Sequence, residues 1–353
     1  MTNPQNGSQR VTQRRIAELA GVSQSTVSLV LNGKADALSR IPAETRERVL
    51  RVIKEAEYVA DPAARRLAGV GNRLIGVFTY EPAFPSASLD FYAALLTGIE
   101  SEAEQLGYDL LLFTSAPVSG GRRSLFHESN RLRLADGCLL LGQEMDGSEL
   151  ERLVESGFPF VAIGRRDAAG VPYVAADYVT GTAELVARSW ELGHRRVALL
   201  HLDSTGESVL DRRAGLVDEL ARRGTEPVLL RASDGHDLDA DWAALRDSGA
   251  TVLFVEAPAH ALAISRLAEA EGLQIPRDLS IIALADPSRG TEIGPDFTRL
   301  SPPRTQLGSE ALALLGRILD PRTEVPADEL RITLPCAITD GATLAAPRTE
   351  TTR

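Results

Sequence analysis

Gln24, Ser25, Ser28 and Leu29 fall on one face of a helix drawn through residues 24–32, and the face carries an amide, hydroxyls and methyl groups but no charge. Polar and methyl-bearing side chains set out this way on the second helix of a helix pair are what enters a DNA major groove. The surrounding residues supply the elements that would hold the face. Thr12 caps a short helix from about Gln13 to Ala20, and Ser23 caps the second helix by accepting a bond from an orphan backbone N–H. Gly21 stands in the tight turn between them, at a position expected to crowd any side chain. Ile16, Ala17, Ala20, Val22, Val27 and Val30 fall where two crossed helices bury apolar groups against each other. The competing reading of this stretch is an ordinary helical hairpin.

The chain offers little other chemistry. Its five histidines are scattered, and Cys138 and Cys336 lack both a disulfide framework and metal-ligand spacing. No P-loop, HExxH, GxSxG or Rossmann glycine fingerprint occurs, and His201 with Asp203 fits a strand end as well as a catalytic pair. The expectation is a protein that is not an enzyme and needs no cofactor or metal.

At 353 residues, 44% of them hydrophobic, the chain is long enough for two or three units. No stretch is apolar enough to span a membrane, and the start MTNPQNGSQR lacks a secretory h-region, so a soluble, cytoplasmic protein is expected. The net charge of −11 is unevenly spread. Residues 1–70 hold eleven Lys and Arg against seven Asp and Glu, a net +4, which leaves −15 for the remainder. A basic head on an acidic body meets phosphate at one end and is repelled at the other.

Four segments are expected: 1–60 a helix-turn-helix headpiece, 61–72 a hinge helix and linker, 73–345 a two-lobed body, and 346–353 a flexible tail. In the headpiece, Pro42 suits the first turn of a third helix, with Val49, Leu50, Val52 and Ile53 as its apolar stripe and an end near Glu57. Tyr58 and Val59 would close the small core. Asp61 to Gly69 reads as a capped helix of barely two turns, marginal alone, which would fold when it packs on DNA; a plain linker is the alternative. From Leu74 onward, short buried runs such as LIGVFT, GCLLL, VALL, VLFV and IIAL alternate with helical stretches. Two successive parallel α/β sets imply two doubly wound lobes, with the segments 306–319, 329–334 and 336–339 recrossing between them. A cleft between such lobes is a natural small-molecule site.

Taken together, IAELAGVSQSTVSLVLNG, ETRERVL, Tyr58 and the run Arg66-Leu67-Ala68-Gly69, followed by LIGVF, DGCLLLG, VPYVAADYVTGTAE, GHRRVALL, Arg212 with Gly215, and LSIIALAD, resemble the lactose/galactose-repressor (LacI/GalR) family of bacterial transcription regulators. The likeness runs over nearly the whole chain; the body pattern is shared with periplasmic sugar-binding proteins. The resemblance implies an all-α helix-turn-helix headpiece and hinge helix, then an α/β, two-lobed, periplasmic-binding-protein-like core. It implies a homodimer on a near-palindromic double-stranded DNA operator, a small-molecule effector between the lobes, and no membrane. DNA contact then falls to Thr12, Gln24, Ser25, Thr26, Ser28, Leu29 and Asn32, with Arg65 and Arg66 on phosphates and Leu67 as a wedge between base steps. Repression is the expected outcome. An activator, an effector-independent regulator and, more remotely, a solute-binding protein are the alternatives; the missing export signal and the basic headpiece argue against the last.

The chain also departs from the family pattern. Leu29 stands where many relatives carry Arg, so a thymine methyl replaces a guanine edge as its expected contact. The loop Lys34–Ile41 is about four residues longer than usual, and Pro42 replaces a serine cap. The tail from Ala345 has a proline and no apolar heptads, which argues for a dimer rather than a tetramer. Gly164, Ala257 and Ala285 stand where sugar-binding relatives often have Asp, Asn and Asp. The effector-site candidates are Tyr80, Glu81, Phe84, Phe91, Arg165, Arg212, Trp242 and Asp286, with Tyr92 beside them; a core position is the alternative for Trp242, and a turn cap for Asp286. Lost sugar anchors with arginines and aromatics retained point to a compact or anionic metabolite, or to a sugar held in a different pose.

Overall fold

The computed structural model describes residues 11–32, 41–56, 58, 71–82, 86–232, 238–287 and 294–348. Two compact units divide it, Met1–Asn72 and Arg73–Arg353.

The first unit holds α1 (Gln13–Ala20), α2 (Gln24–Asn32) and α3 (Ala43–Glu55). Thr12 Oγ1 accepts from Arg15 N at 3.3 Å, and Ser23 Oγ accepts from Thr26 N at 3.1 Å, so both expected caps are made. Gly21 ends α1 in the left-handed region at φ 64°, yet a Cβ built there meets nothing within 4 Å. The turn therefore selects glycine by backbone angle and not by crowding. Ile16, Val27 and Val49 are fully buried at the centre, ringed by Ala17, Ala20, Val30, Val22, Val52, Ile53 and Tyr58. Leu50 leaves the expected stripe and is 48% exposed. On a 3.6-residue helix Val49, Val52 and Ile53 share one face, and Leu50 is turned about 100° away from Val49. Pro42 precedes α3 as a cap without a side-chain bond, and the helix stops at Glu55, ahead of the expected end. Val59 and the segment 61–70, with its expected hinge helix, lie outside the described residues.

The second unit contains two six-stranded sheets. Lobe 1 has the order β13-β7-β6-β5-β1-β2, all parallel, from β1 (Leu74–Thr79), β2 (Asp109–Phe113), β5 (Gly137–Leu141), β6 (Phe160–Ile163), β7 (Tyr173–Asp177) and β13 (Arg331–Pro335). Its helices are α4 (Ser86–Leu106), α5 (Gly147–Glu155) and α10 (Arg304–Leu319). Alternation along β1 sends Ile75 and Val77 to the face covered by α4 and α10, and Phe78 to the face covered by α5. A short hairpin, β3 (Val118–Ser119) with β4 (Arg122–Arg123), turns through Gly120 and Gly121, both at positive φ.

Lobe 2 has the order β14-β12-β11-β10-β8-β9, built from β8 (Val197–His201), β9 (Val228–Arg231), β10 (Val252–Val255), β11 (Ser280–Ala283), β12 (Thr298–Ser301) and β14 (Ala337–Thr339). Only β14 runs antiparallel, against β12. Helices α6 (Tyr178–Glu191) and α7 (Glu207–Arg222) cover one face; α8 (Asp239–Ser248) and α9 (Pro258–Ala270) cover the other. The chain passes between lobes after β7, after β12 and after β13, so the expected recrossing is made by α10, β13 and β14. The buried strand runs form because both faces of each sheet are covered.

Candidate nucleic-acid interface and inter-lobe cleft

Packing of α1 on α2 through Ile16, Ala20 and Val27 leaves Gln24, Ser25 and Leu29 exposed on α2, Leu29 at 43%. Ser28 and Thr26 are half-buried on the same helix, and Thr12 is exposed at the start of α1. Ser23 Oγ lies 2.7 Å from Ser25 Oγ and 2.9 Å from Thr26 Oγ1, which orders the first turn of α2. Arg48 on α3 ties that helix to α1 by donating Nε to Ala20 O at 3.0 Å. The face is therefore uncharged, presented on a fixed helix, and backed by a core of its own. The Asn32 side chain and Arg65, Arg66 and Leu67 lie outside the described residues.

Between the lobes, at the C-terminal ends of both sheets, is a cavity of about 50 Å³. Lobe 1 contributes Phe91, Ile163, Gly164, Arg165 and Arg166, and lobe 2 contributes Ser208 and Asp211. Tyr178 and Arg304 line it where the chain crosses between lobes. Open α/β sheets place ligand sites at these strand ends.

Of the expected effector residues, Phe91 and Arg165 line the cavity. Arg304 lies over the Phe91 ring at 5.8 Å, and Phe91 meets Tyr92 edge to face. Arg165 is held by Asp211, with Nε–Oδ2 and Nη2–Oδ1 both 2.8 Å, and by Asp167. Arg212 is one layer back: it is buried, sits over the Tyr178 ring at 5.1 Å and donates to Leu284 O at 3.3 Å. Asp286 is also one layer back, accepting from Ser301 Oγ at 2.6 Å, Arg299 Nε at 3.2 Å and Arg304 Nη1 at 3.5 Å. Glu81 accepts from Tyr92 Oη and from the backbone N–H of Gln143, so it organises the loop after β5 and does not line the cavity. Burial and the Glu81 charge raise the Tyr92 pKa, which keeps that phenol a donor.

Two further candidates lie away from the cavity altogether. Tyr80 is 2% exposed and packs edge to face on Phe78. The two-residue period that puts Phe78 on the α5 face carries Tyr80 to the same face, away from the cleft. Trp242 is 5% exposed in the core under α8, with Nε1 donating to Glu271 at 2.9 Å. Helix α8 lies along a flank of the lobe 2 sheet and not at its strand ends, so its tryptophan packs inward. Phe84 lies outside the described residues.

Sequence reasoning missed Arg166, Tyr178, Asp211 and Arg304. Arg166 is 4% exposed, with Nη1 2.7 Å from Glu207 of α7 and Nη2 donating to Gly142 O and Ile163 O at 2.9 and 3.1 Å. Gly164 explains one missing anchor, for it has φ 104°, and a Cβ there would lie 3.1 Å from Arg166 Nη2. Deeper in lobe 2, Glu256 is 3% exposed and accepts from Leu202 N at 2.7 Å. Burial raises its pKa against the pull of that N–H and of Arg212 and Arg213. Among the described residues no group of His, Cys, Asp and Glu is arranged to hold a metal ion, and no helix is long and apolar enough to cross a membrane.

The profile described as "Bacterial regulatory proteins, lacI family" matches residues 13–61, and "Periplasmic binding protein-like domain" matches residues 186–344. The HTH-type transcriptional regulator CelR of Thermobifida fusca is 30% identical over 331 residues, 89% of this chain and 94% of that protein. The lactose operon repressor of Escherichia coli is 25% identical over 97% of this chain and 92% of its own length. Among solved structures, the CelR–cellobiose complex aligns with TM-score 0.63 and 27% identity, over 95% of this chain and all of that one. The lac repressor dimer bound to operator and the anti-inducer ONPF aligns with TM-score 0.72 at 22% identity, over 96% of this chain and all of that one, and shows the shared fold.

Proposed function

The chain belongs to the lacI family of bacterial regulatory proteins, and from that premise we propose that it is a cytoplasmic repressor whose grip on a near-palindromic operator is set by a small neutral ligand in the inter-lobe cleft. It is a DNA-binding transcriptional regulator and not an enzyme. As a homodimer it sets two copies of α2 in successive major grooves, because a two-fold protein matches a two-fold site. Gln24, Ser25, Ser28 and Leu29 read bases, helped by Thr12, Thr26 and Asn32; Arg65 and Arg66 meet phosphates, and Leu67 wedges a base step between the half-sites.

The observation that carries the DNA reading is the exposed, uncharged face of α2 on its own buried core. The ligand reading rests on charge. Among the described residues each guanidinium in the cavity wall faces a carboxylate, Arg165 that of Asp211, Arg166 that of Glu207 and Arg304 that of Asp286, which Arg299 shares. Phe91 and Tyr178 supply apolar faces. Of the expected alternatives, a compact or anionic metabolite or a sugar held in a different pose, this arrangement favours the neutral, hydroxyl-bearing sugar, and cellobiose, the ligand in the CelR complex, is the natural first probe. Calorimetry with cellobiose and with glucose 6-phosphate tests it. Binding of the neutral sugar is expected; tighter binding of the phosphate would reject the neutral-ligand reading. An operator recovered by selection and placed over a reporter promoter tests the direction of control, with lowered transcription expected and raised transcription marking an activator.

A further inference from the structure

Strands β2 and β5 both run parallel to β1 on either side of it, and residues 114–136 join them. A parallel crossover of this length is usually an α-helix. Here it is the β3–β4 hairpin, a set of turns and one 3-10 turn, Leu132–Leu134. Leu125 and Leu132 reach from it into the core under α5, beside Leu153. No helix fills the rest of that face, and a pocket of about 230 Å³, open to solvent, remains between the crossover and the C-terminal end of α5. Buried Leu125, Leu132 and Leu153 make its floor, and half-buried Phe126 and Phe158 supply aromatic surface. It shares no lining residue with the inter-lobe cavity.

Arg131 and Arg133 stand exposed at the rim, with His127 between the pocket and the hairpin. No Asp or Glu lines the pocket, and among the described residues neither guanidinium is paired with a carboxylate. Arg152 of α5 lies over the Phe126 ring at 4.1 Å, so a third cation borders the same aromatic. Ser129 N–H donates to His127 Nδ1 at 3.1 Å, which leaves the ring proton on Nε2 as a further donor. Asn130 and Ser156 are engaged in the local frame, Asn130 with Leu125 O and Leu132 N, and Ser156 Oγ with Leu153 O and Phe158 N. The inter-lobe cavity differs, for its arginines face carboxylates. So does the hollow on the hairpin side of the crossover, where Arg122 and Arg123 stand with Asp146 and Glu149. A cavity of about 150 Å³ lined by apolar side chains holds benzene, so the larger pocket has room for a ring bearing a charged group. We propose that lobe 1 carries a second small-molecule site here, and that it takes a small carboxylate with an aromatic or aliphatic body. The body packs on Leu125, Leu153 and the two phenylalanines, and Arg131 and Arg133 take the carboxylate, whose two oxygens match a guanidinium fork. Lobe 1 alone makes the site, so it does not depend on what the cleft binds.

The test uses the full chain and fluorine NMR, with 4-fluorobenzoate as the probe and 4-fluorobenzamide as its neutral counterpart. Titrations give affinities for the wild type, for Arg131→Gln combined with Arg133→Gln, and for Arg131→Lys combined with Arg133→Lys. Both positions are exposed, and circular dichroism confirms that the variants are folded. The wild type is expected to bind the benzoate more tightly than the benzamide. The glutamine pair is expected to weaken the benzoate roughly tenfold and leave the benzamide unchanged, with the lysine pair, which keeps the charge, in between. Equal affinities for benzoate and benzamide, or undiminished benzoate binding by the folded glutamine pair, would overturn the proposal. The glutamine pair is also titrated with selected operator DNA and no benzoate. Weaker DNA binding there, with benzoate binding intact, would assign the two arginines to DNA phosphates instead.

Discussion

Replacing Gly21 by alanine and by asparagine distinguishes two reasons for a glycine between α1 and α2. If the turn were crowded, the larger asparagine would do more harm. The structure gives the opposite order, because a Cβ at residue 21 meets nothing within 4 Å while the backbone sits at φ 64° and ψ 39°. Alanine in that region costs roughly 1–2 kcal/mol, and asparagine less, because its short polar side chain bonds locally and tolerates the left-handed basin. A domain of about 60 residues loses roughly 4–8 °C of melting temperature per kcal/mol. The headpiece should therefore melt several degrees lower in Gly21→Ala and by a smaller amount in Gly21→Asn. Hydrogen exchange on the full chain, followed in peptides within residues 12–32, reads the headpiece separately from the core. Faster exchange in the order Ala, then Asn, then wild type is expected. Exchange in Gly21→Asn at or above that in Gly21→Ala would refute the backbone-angle argument and restore crowding.

Three further outcomes follow from individual contacts. Ser23→Ala removes the cap on Thr26 N and should cost the headpiece about 1 kcal/mol, measured by the same exchange experiment. Trp242→Phe loses the bond to Glu271 and some packing, so urea unfolding should show about 1–3 kcal/mol of lost stability with unaltered ligand affinity; a large affinity loss would return Trp242 to the ligand site. His194 is fully buried between Thr251 Oγ1 and Ala345 O, both at 2.8 Å, and burial lowers its pKa below the usual 6.5. The unfolded chain thus takes up a proton that the folded chain resists, so stability holds above pH 6.5 and falls as pH drops below it. Melting temperatures from pH 7.5 to 5.0 should decline more steeply in the wild type than in His194→Gln, and equal slopes would exclude His194 as the cause.

The headpiece was legible in the sequence because its determinants are local. Thr12 and Ser23 act within three residues, and Ile16, Ala20 and Val27 repeat at helical spacing. The buried strands were legible for a related reason, since runs such as LIGVF and VLFV fit a sheet covered on both faces. Strand β12, Thr-Arg-Leu-Ser, escaped notice because it is short and half polar. The β3–β4 hairpin escaped although its Gly-Gly turn was a usable signal. The cleft was the least legible part. Arg166, Asp211 and Arg304 belong to different elements in two lobes, and only the crossings bring them together. Strand parity puts Tyr80 on the α5 face with Phe78, and the direction in which α8 packs decides for Trp242 between the stacking and core positions its sequence context left open. Phe91 and Arg165 were found because strand ends and the helices after them line such clefts whatever the remaining topology.

The central claim is that α2 reads specific DNA on behalf of a two-fold protein. Its most direct test is selection of binding sites from random duplexes at a fixed salt concentration, with wild type beside Leu29→Ala. The expected result is a near-palindromic sequence for the wild type, and for Leu29→Ala the same palindrome with relaxed preference at one symmetric pair of positions. Retention of duplexes without any shared sequence, or enrichment of a single half-site with no two-fold mate, would contradict the account.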